Sequence, residues 1–234
     1  WKPTAPAFMA PVEPHWNTLR PFLLDSAQQF KVKLPAGYDT MPSSSFYTQM
    51  MEVYDIAKAA KPEEQAIAMF WDCNPFALSS NGHLLIAMKK ISPGAHWMGI
   101  SAIACAKKKL DFGHSLLVRT VLSVSMQDAF WVCWREKYHS NRIRPETAIR
   151  KLIDPTWKPF LQTPPFPEYP SGHSTVSSTA AVVVVSSVRS SFTRQTPTPI
   201  LVLAVDLNLV FELISNRNIV TGQRVLKIGK SAEP

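Results

Sequence analysis

The sequence predicts an all-α, single-domain fold, and three observations lead to this prediction. The chain of 234 residues contains 20 Pro but only 8 Gly, whereas average usage is about 5% Pro and about 7% Gly. So few Gly residues argue against a hairpin-rich β protein, whose turns need positive φ. Apolar residues recur at three- and four-residue steps between proline-bearing loops, which is typical of helices. A hydrophobic content of 46% is enough for a sizeable core.

The first 45 residues read as loop, because seven prolines punctuate them. We predict that residues 1–45 form an aromatic arm that packs on the body, and that residues 46–234 form the helical domain. The body begins with FYTQMMEVYDIAKAA, in which Phe46, Met50 and Val53 share one helical face.

Further helices are predicted where apolar periodicity lies between Pro or Gly residues. They span residues 62–71, 96–110, 115–137 and 172–189. The third of these is apolar almost all round, so we expect it to be the central, buried helix. Residues 83–91 form a further apolar stretch, and residues 200–214 fit a helix or a strand equally well.

Composition restricts the possible partners and location. The net charge of +8 suits an anionic partner or simply a soluble basic surface. The run Lys107–Lys109 is too short to predict nucleic-acid binding. Three cysteines without metal-type spacing exclude a disulfide framework. No apolar run reaches about 18 residues, so we expect no membrane span. We expect a soluble protein that has lost a leader, as in a secretory or periplasmic location; its oligomeric state stays open.

The first candidate site is WREKYHSNRIRPE, from Trp134 to Glu146. Lys137 ends the central helix, and Arg144 follows after six residues. Pro145 biases Arg144 away from helical geometry, so its guanidinium can turn back toward Lys137. An ammonium group beside a forked guanidinium suits a tetrahedral oxyanion. The alternative is two solvated cations at a helix end, favoured by the helix dipole.

The second candidate site is the junction of a proline-rich loop and a buried helix in PFPEYPSGHSTVSS. Ser171 can cap the helix, and Gly172 allows the backbone to approach a ligand closely. The free N–H groups of the first turn can bind an anion. His173 can donate to an oxygen of that anion or act as a general acid. The alternative is an ordinary capped helix with a satisfied histidine.

Together the two segments resemble the first two signature motifs of the acid phosphatase and vanadium haloperoxidase superfamily, which includes the type 2 phosphatidic acid phosphatases. The motifs here are K-x6-RP and, 26 residues after Arg144, PSGH. WREK and PFPEYPSGH resemble vanadium chloroperoxidases in particular. EEQAIAMFWDCNP, GHLLIAM and MQDAFWVCW are similar to soluble bacterial and plant relatives, so the resemblance covers roughly residues 14–190.

The resemblance implies a soluble helical bundle of the vanadium chloroperoxidase and acid phosphatase type, with vanadate as the cofactor or phosphate or sulfate in its place. The residues that would hold the oxyanion are Lys137, Arg144, Ser171 and Gly172. His173 would be the acid–base residue near the apical oxygen, and Trp134 and Phe166 are candidates for the halide site. In a haloperoxidase, vanadate binds hydrogen peroxide and halide is oxidised to a hypohalous species. In a phosphatase, the same pocket hydrolyses a phosphomonoester through a phosphohistidine.

The sequence departs from the family at the third motif. There the family has Ser-Arg and, about seven residues later, a histidine that ligates vanadate or attacks phosphorus. Here FELISNRNIVTGQRVLKIGK supplies Ser215 and Arg217, and Arg217 is the further oxyanion-binding candidate. No histidine follows His173. The candidate replacements are His96, His114 and His139.

We therefore expect a haloperoxidase-like protein with an oxyanion pocket. An acid phosphatase is the alternative within the superfamily, because both activities share the pocket. A non-catalytic relative that binds an oxyanion is the alternative from another class, and the incomplete third motif favours it.

Overall fold

The computed structural model describes residues 1–30, 32–74, 77–88 and 90–190. The elements are helices α1 (Ser45–Ala59) and α2 (Pro62–Trp71), strands β1 (Ala77–Asn81) and β2 (Leu84–Met88), and helices α3 (Pro93–Lys107), α4 (Phe112–Ser140), α5 (Pro145–Leu152) and α6 (Gly172–Ser190), with a 3-10 turn at Trp16–Thr18. The predicted helical fold is confirmed, although α3 and α4 each begin three residues before the predicted start and α5 was not predicted. Residues 200–214 lie outside the described residues.

The helices begin where the sequence supplies caps. Ser44, Ser92 and Asp111 accept main-chain N–H bonds of 3.1, 3.2 and 2.8 Å from the third residue beyond each of them. These bonds satisfy donors that have no partner within α1, α3 and α4. The long helix α4 ends at Ser140, and the left-handed φ of 46° at the following Asn141 turns the chain away.

Helix α4 is the centre of the fold and packs against α3 and α6. Leu122 and Met126 of α4 meet Val176, Ala180 and Val183 of α6 in one apolar cluster. These residues recur at three- and four-residue steps, as expected where two helices pack together. Helix α4 is also buried on another side, where Ala129, Trp131 and Val132 join a cluster with the N-terminal segment. Burying a Val, Leu or Met side chain fully contributes about 1.5–3 kcal/mol. This packing holds the first turn of α6 near the last third of α4.

A second apolar cluster joins α1 to α5. Phe46 and Met50 of α1 contact Ala148 and Ile149 of α5, and Trp157 closes the cluster. All five side chains are buried. Because α5 follows Arg144 directly, this cluster also fixes where that arginine begins its helix.

The segment 1–45 packs along α4. The Trp16 ring lies edge-on to Phe130, with centroids 5.3 Å apart. The carboxylate of Asp128, a fully buried residue, accepts the main-chain N–H groups of Phe22 and Leu23 at 2.8 and 2.7 Å. The Phe22 side chain is 65% exposed, so polar contacts as well as aromatic ones attach this segment. The division of the chain at residue 45 stays a prediction.

A short antiparallel hairpin separates α2 from α3. Ala77 pairs with Met88 and Asn81 with Leu84. Gly82 in the turn has a left-handed φ of 61°, which costs glycine little. An Asn-Gly pair between β-prone residues is a strong hairpin signal, and the composition argument overlooked it. The helical fold class stands, with this hairpin as an addition within the described residues.

Residues 112–152 contain a window that is long and apolar enough to cross a membrane by length and composition alone, with a mean hydropathy of 1.2. Half of that window is buried inside the fold. The central helix of a folded core passes the same test, so this window is weak evidence for a membrane span.

Candidate functional site

The end of α4 and the start of α5 bring the two predicted cations together. Lys137 lies in the last turn of α4 and is 1% exposed. Arg144 has extended geometry, with φ −71° and ψ 143°, immediately before Pro145 at the start of α5. This is the geometry that the following proline favours. Lys137 is buried and Arg144 is half-buried. The alternative of two solvated cations at a helix end is therefore wrong for Lys137.

Both cations bind the same loop through three consecutive main-chain carbonyls. Arg144 Nε donates to the oxygen of Phe166 at 2.6 Å. Lys137 Nζ donates to the oxygens of Pro167 and Glu168 at 3.1 and 3.0 Å. The loop that leads into α6 is therefore fastened to the end of α4 by charge-assisted hydrogen bonds.

These bonds do not use all the donors of the two cations. An ammonium group has three N–H donors and a guanidinium has five. Nη2 of Arg144 is buried and makes no hydrogen bond. The ring of Phe166 lies 4.6 Å from the Arg144 guanidinium carbon and 5.0 Å from Lys137 Nζ. Lys137 and Arg144 therefore keep N–H donors beside the Phe166 ring that the fold does not use.

Burial lowers the pKa of both cations. Burial is the largest of the causes that lower the pKa of Lys137 to about 8; the Arg144 charge also lowers it, whereas Cys133 and Glu168 oppose the shift. Burial likewise lowers the pKa of Arg144 to about 10. An anion placed between them would favour the charged forms.

The start of α6 has the predicted cap. Ser171 Oγ accepts the N–H of Ser174 at 3.2 Å, as an N-cap residue does. A carbon added at Gly172 would lie 3.7 Å from the Trp134 ring. The first turn of α6 therefore meets α4 one helical turn before Lys137. The Ser174 hydroxyl is buried and makes no hydrogen bond in this first turn.

His173 is half-buried and contacts α2. Its Nε2 lies 2.9 Å from the main-chain oxygen of Trp71. A carbonyl oxygen only accepts hydrogen bonds, so Nε2 carries the proton in this contact. Nδ1 then has no proton in the neutral imidazole. Burial lowers the pKa of His173; Trp71 and Asp72 oppose this, and the charge of Lys137 adds to it. His173 follows Gly172, at which an added carbon would lie 3.7 Å from the Trp134 ring, one helical turn before Lys137.

The two halide-site candidates are neighbours. The rings of Trp134 and Phe166 have centroids 4.8 Å apart, and Trp134 also stacks on Phe130 at 4.2 Å. Trp134 is 5% exposed, and its Nε1 donates to the Val12 oxygen at 3.2 Å. Phe166 is half-buried. Of the two, Phe166 is the more accessible to a small ligand.

Sequence reasoning missed Glu168 and Arg142. Glu168 is 9% exposed, and its Oε2 lies 2.9 Å from Nε of Arg142, which is 6% exposed. The orientation of these atoms makes a close ionic contact rather than an aligned hydrogen bond. An acidic residue inside PFPEYPSGH, in a segment predicted to bind an anion, was the available signal.

The histidines considered as replacements lie in different surroundings. Side chains of His114 and His139 are 58% and 59% exposed and contact acidic residues on their own helix. His96 stacks on the Trp71 ring at 4.6 Å, and its charge contributes to lowering the pKa of His173. Arg217, together with the rest of the third-motif segment, lies outside the described residues.

Two further observations concern ligands. Across residues 1–190, as far as they are described, no group of three or more His, Cys, Asp or Glu side chains could hold a metal ion. A surface groove between α3 and α4 is lined by residues that include Met98, Phe112 and Arg119. None of these three is a predicted site residue.

Comparisons with known proteins agree with the fold. A family model described as the VCPO second helical-bundle domain matches residues 118–208. A solved structure described as the first bacterial vanadium-dependent iodoperoxidase is 52% identical, with a TM-score of 0.72, over 80% of this chain and 44% of that chain. The chain thus spans less than half the length of that iodoperoxidase. A comparison with the curated proteins found no match.

Proposed function

Because the chain belongs to the vanadium haloperoxidase superfamily, we propose that it binds vanadate, or phosphate or sulfate in its place, between the end of α4 and the start of α6. The buried, unbonded Nη2 of Arg144 is the observation that carries this proposal. A buried guanidinium N–H group without a partner is costly. A tetrahedral oxyanion offers the acceptors that this group and the third proton of Lys137 require.

Each residue has a part in holding the anion. The residues proposed to bind the equatorial oxygens are Lys137, Arg144, Ser171 and Gly172, with Arg217 as a further candidate. His173 would hold or release a proton at the apical side, and its lowered pKa favours the neutral imidazole near pH 7. The bound vanadate would supply the chemistry by which hydrogen peroxide oxidises a halide.

Iodide is the first halide to test. The iodoperoxidase to which the chain is similar supports this choice. We propose that the halide approaches along the Phe166 ring, which is half-buried and lies beside both cations. The Trp134 ring packs against the Phe166 ring, and Nε1 of Trp134 donates to the main-chain oxygen of Val12.

The third motif favours a second candidate function. No histidine follows His173 in the sequence, so the residue that would ligate vanadate has no counterpart in this stretch. A side chain that coordinates vanadium contributes to retention and catalysis. A non-catalytic relative that binds an oxyanion and turns over no halide is the function that fits this observation.

The experiment separates binding from turnover. Orthovanadate and phosphate are titrated calorimetrically into the chain, and iodide oxidation by hydrogen peroxide is then followed with vanadate present. Binding with turnover that is lost in His173→Ala supports the haloperoxidase. Binding without turnover supports the non-catalytic relative.

The same samples test the remaining outcomes. Hydrolysis of a generic phosphomonoester, lost in His173→Ala, would identify the acid phosphatase instead. Binding of neither anion by a folded sample would contradict the oxyanion pocket and all three functions with it.

A further inference from the structure

The main chain of Val12 connects the central helix to the loop that carries Phe166. Its carbonyl oxygen accepts two hydrogen bonds from α4, one from the Tyr138 hydroxyl at 2.6 Å and one from Trp134 Nε1 at 3.2 Å. Its N–H donates to the oxygen of Pro165 at 3.1 Å. We call these three hydrogen bonds the Val12 bridge. One residue of the N-terminal segment thus joins two elements of the candidate site.

The Val12 bridge supplies one of four bonds that fasten this loop. The carbonyl oxygens of residues 165–168 all accept hydrogen bonds from outside the loop. Arg144 and Lys137 donate the bonds to residues 166–168, and these two cations are also the proposed ligands of the anion. The bond from Val12 comes from a neutral main-chain group. It therefore holds the loop whether or not the cations are engaged with an anion.

The position of the Phe166 ring depends on this fastening. The half-buried ring lies 4.8 Å from the Trp134 ring. It also lies 4.6 Å from the guanidinium carbon of Arg144 and 5.0 Å from Lys137 Nζ. The main-chain N–H of Phe166 donates to the oxygen of Pro164 at 2.9 Å. The bridge therefore acts on the residue between these two, directly beside the main chain that carries the ring.

The Tyr138 hydroxyl is the shorter of the two bonds to the Val12 oxygen. Its length of 2.6 Å lies within the range of well-formed O–H···O bonds. Burial raises the pKa of Tyr138 to about 12, so the hydroxyl keeps its proton and donates throughout the neutral range. Trp134 contacts the Phe166 ring itself. Tyr138 is therefore the donor that a substitution can remove without changing the packing of that ring.

We propose that Tyr138 is a positioning residue of the halide approach. Through the Val12 bridge its hydroxyl fixes the loop at Pro165 and so holds the Phe166 ring beside Lys137 and Arg144. Tyr138 acts through Val12 and is not itself a ligand of the anion or the halide. This inference deepens the proposed function and rests on it, because the ring is relevant to turnover only where a halide passes along it.

The direct test is Tyr138→Phe, which removes the hydroxyl and keeps the ring. Hydrogen exchange of the Val12 amide in ¹⁵N-labelled chain reports on the bridge. The ¹³C-labelled ring resonances of Phe166, assigned with Phe166→Leu, report on the position of the ring. We expect the Val12 amide to exchange about five- to tenfold faster, because one hydrogen bond is lost. The Phe166 resonances should shift, because the ring moves relative to the neighbouring Trp134 ring.

The matched control is Tyr54→Phe. Tyr54 is also half-buried, and its hydroxyl also donates one hydrogen bond, to Oδ2 of Asp154 at 3.1 Å. It packs in the cluster between α1 and α5, so its loss should leave the Val12 amide and the Phe166 ring unchanged. Equal changes in the two variants, or no change in Tyr138→Phe, would overturn the proposal.

Turnover adds a readout that a purely structural role would not change. With vanadate and hydrogen peroxide present, the KM for iodide should rise about threefold in Tyr138→Phe, whereas kcat and the affinity for orthovanadate should change by about twofold or less. An unchanged KM in this variant would contradict a role in the halide approach. Absence of turnover in the original chain would contradict the haloperoxidase function instead. The NMR comparison still decides whether Tyr138 positions Phe166, so the two proposals fail separately.

Discussion

Two buried charged residues on α4 differ in how completely the fold satisfies the hydrogen bonds around them. Asp128 is fully buried, and each of its carboxylate oxygens accepts a main-chain N–H from the N-terminal segment. Lys137, nine residues later, is as deeply buried but gives two of its three donors to carbonyls, and its neighbour Arg144 keeps an unbonded Nη2. Both carboxylate oxygens of Asp128 have hydrogen-bond partners within the fold, whereas the region of Lys137 and Arg144 keeps a donor without a partner.

This difference separates a structural charge from a candidate binding charge. A buried charge with its hydrogen bonds complete stabilises one conformation. A pair of buried cations with donors to spare costs free energy until an anion arrives. The indole N–H groups of Trp16 and Trp131 are also buried without a hydrogen bond, so the candidate site is marked by an unsatisfied donor on a buried cation rather than by either feature alone.

The largest expected effect is on stability at Asp128. Asp128→Ala leaves two main-chain N–H groups without their charged acceptor, so the free energy of unfolding should fall by about 3 kcal/mol. Urea denaturation followed by circular dichroism measures this. Asp55→Ala, an exposed aspartate on α1, should change it by about 0.5 kcal/mol or less. If Asp128→Ala and Asp55→Ala lowered the free energy of unfolding equally, Asp128 would contribute no more than a surface charge.

Lys137→Met should mainly affect binding. Losing the ammonium costs two hydrogen bonds to carbonyls but also removes a buried charge, so stability should change less than in Asp128→Ala. Orthovanadate affinity should fall about 100-fold, which is about 2.7 kcal/mol. Lys107→Met, an exposed lysine of α3 with the same change of net charge, is the calorimetric control. A similar loss in both variants would mean that only net charge attracts the anion.

Arg144→Lys keeps the charge but loses the forked donor. We expect orthovanadate affinity to fall about tenfold, since a point charge cannot replace the Nη2 group. The control is Arg150→Lys, because Arg150 also donates from Nε to a carbonyl, that of Trp157 at 2.8 Å, and its guanidinium is paired with Glu146. If Arg144→Lys bound orthovanadate as tightly as the original chain, the Arg144 guanidinium would not be part of the binding site.

A further expected effect is a dependence of stability on pH. The pKa of Lys137 falls from 10.5 to about 8 in the folded chain. Between these values the unfolded chain binds more protons, so the contribution of Lys137 to stability becomes more favourable as pH rises from 8 toward 10.5. Burial raises the pKa values of Tyr138 and Tyr169 to about 12, and these groups oppose the trend only above about pH 10. Burial also raises the pKa values of the Cys73 and Cys133 thiols, which oppose the trend from about pH 8. In urea denaturation, the change in free energy of unfolding from pH 7.5 to 9.5 should therefore be more positive in the original chain than in Lys137→Met.

Much of this fold could be predicted because its determinants are local. Apolar periodicity with Pro62 at a helix start predicted α2 without knowledge of its partners. Pro93 and Pro145 also begin helices, but the sequence analysis started α3 at residue 96 and did not predict α5. The proximity of Lys137 to His173 followed from resemblance, since spacing alone says nothing of how α6 packs on α4. The start of α6 does lie against α4, because a carbon added at Gly172 would be 3.7 Å from the Trp134 ring; the roles of Lys137 and His173 stay predictions.

The remaining features depend on long-range contacts. The roles of Asp128 and Glu168 come from residues more than a hundred positions away or on another loop, such as Phe22 and Arg142. No local pattern distinguishes them from surface acids. The hairpin at Gly82 was different, because its Asn-Gly signal is local and was outweighed by overall glycine content.

A crystal structure of the chain with orthovanadate would test the central claim most directly. We predict a tetrahedral anion at the start of α6, with oxygens about 2.7–3.1 Å from Nη2 of Arg144 and Nζ of Lys137. An anion bound elsewhere, with Nη2 of Arg144 still unbonded and both cations engaged only with the loop of residues 166–168, would contradict the account.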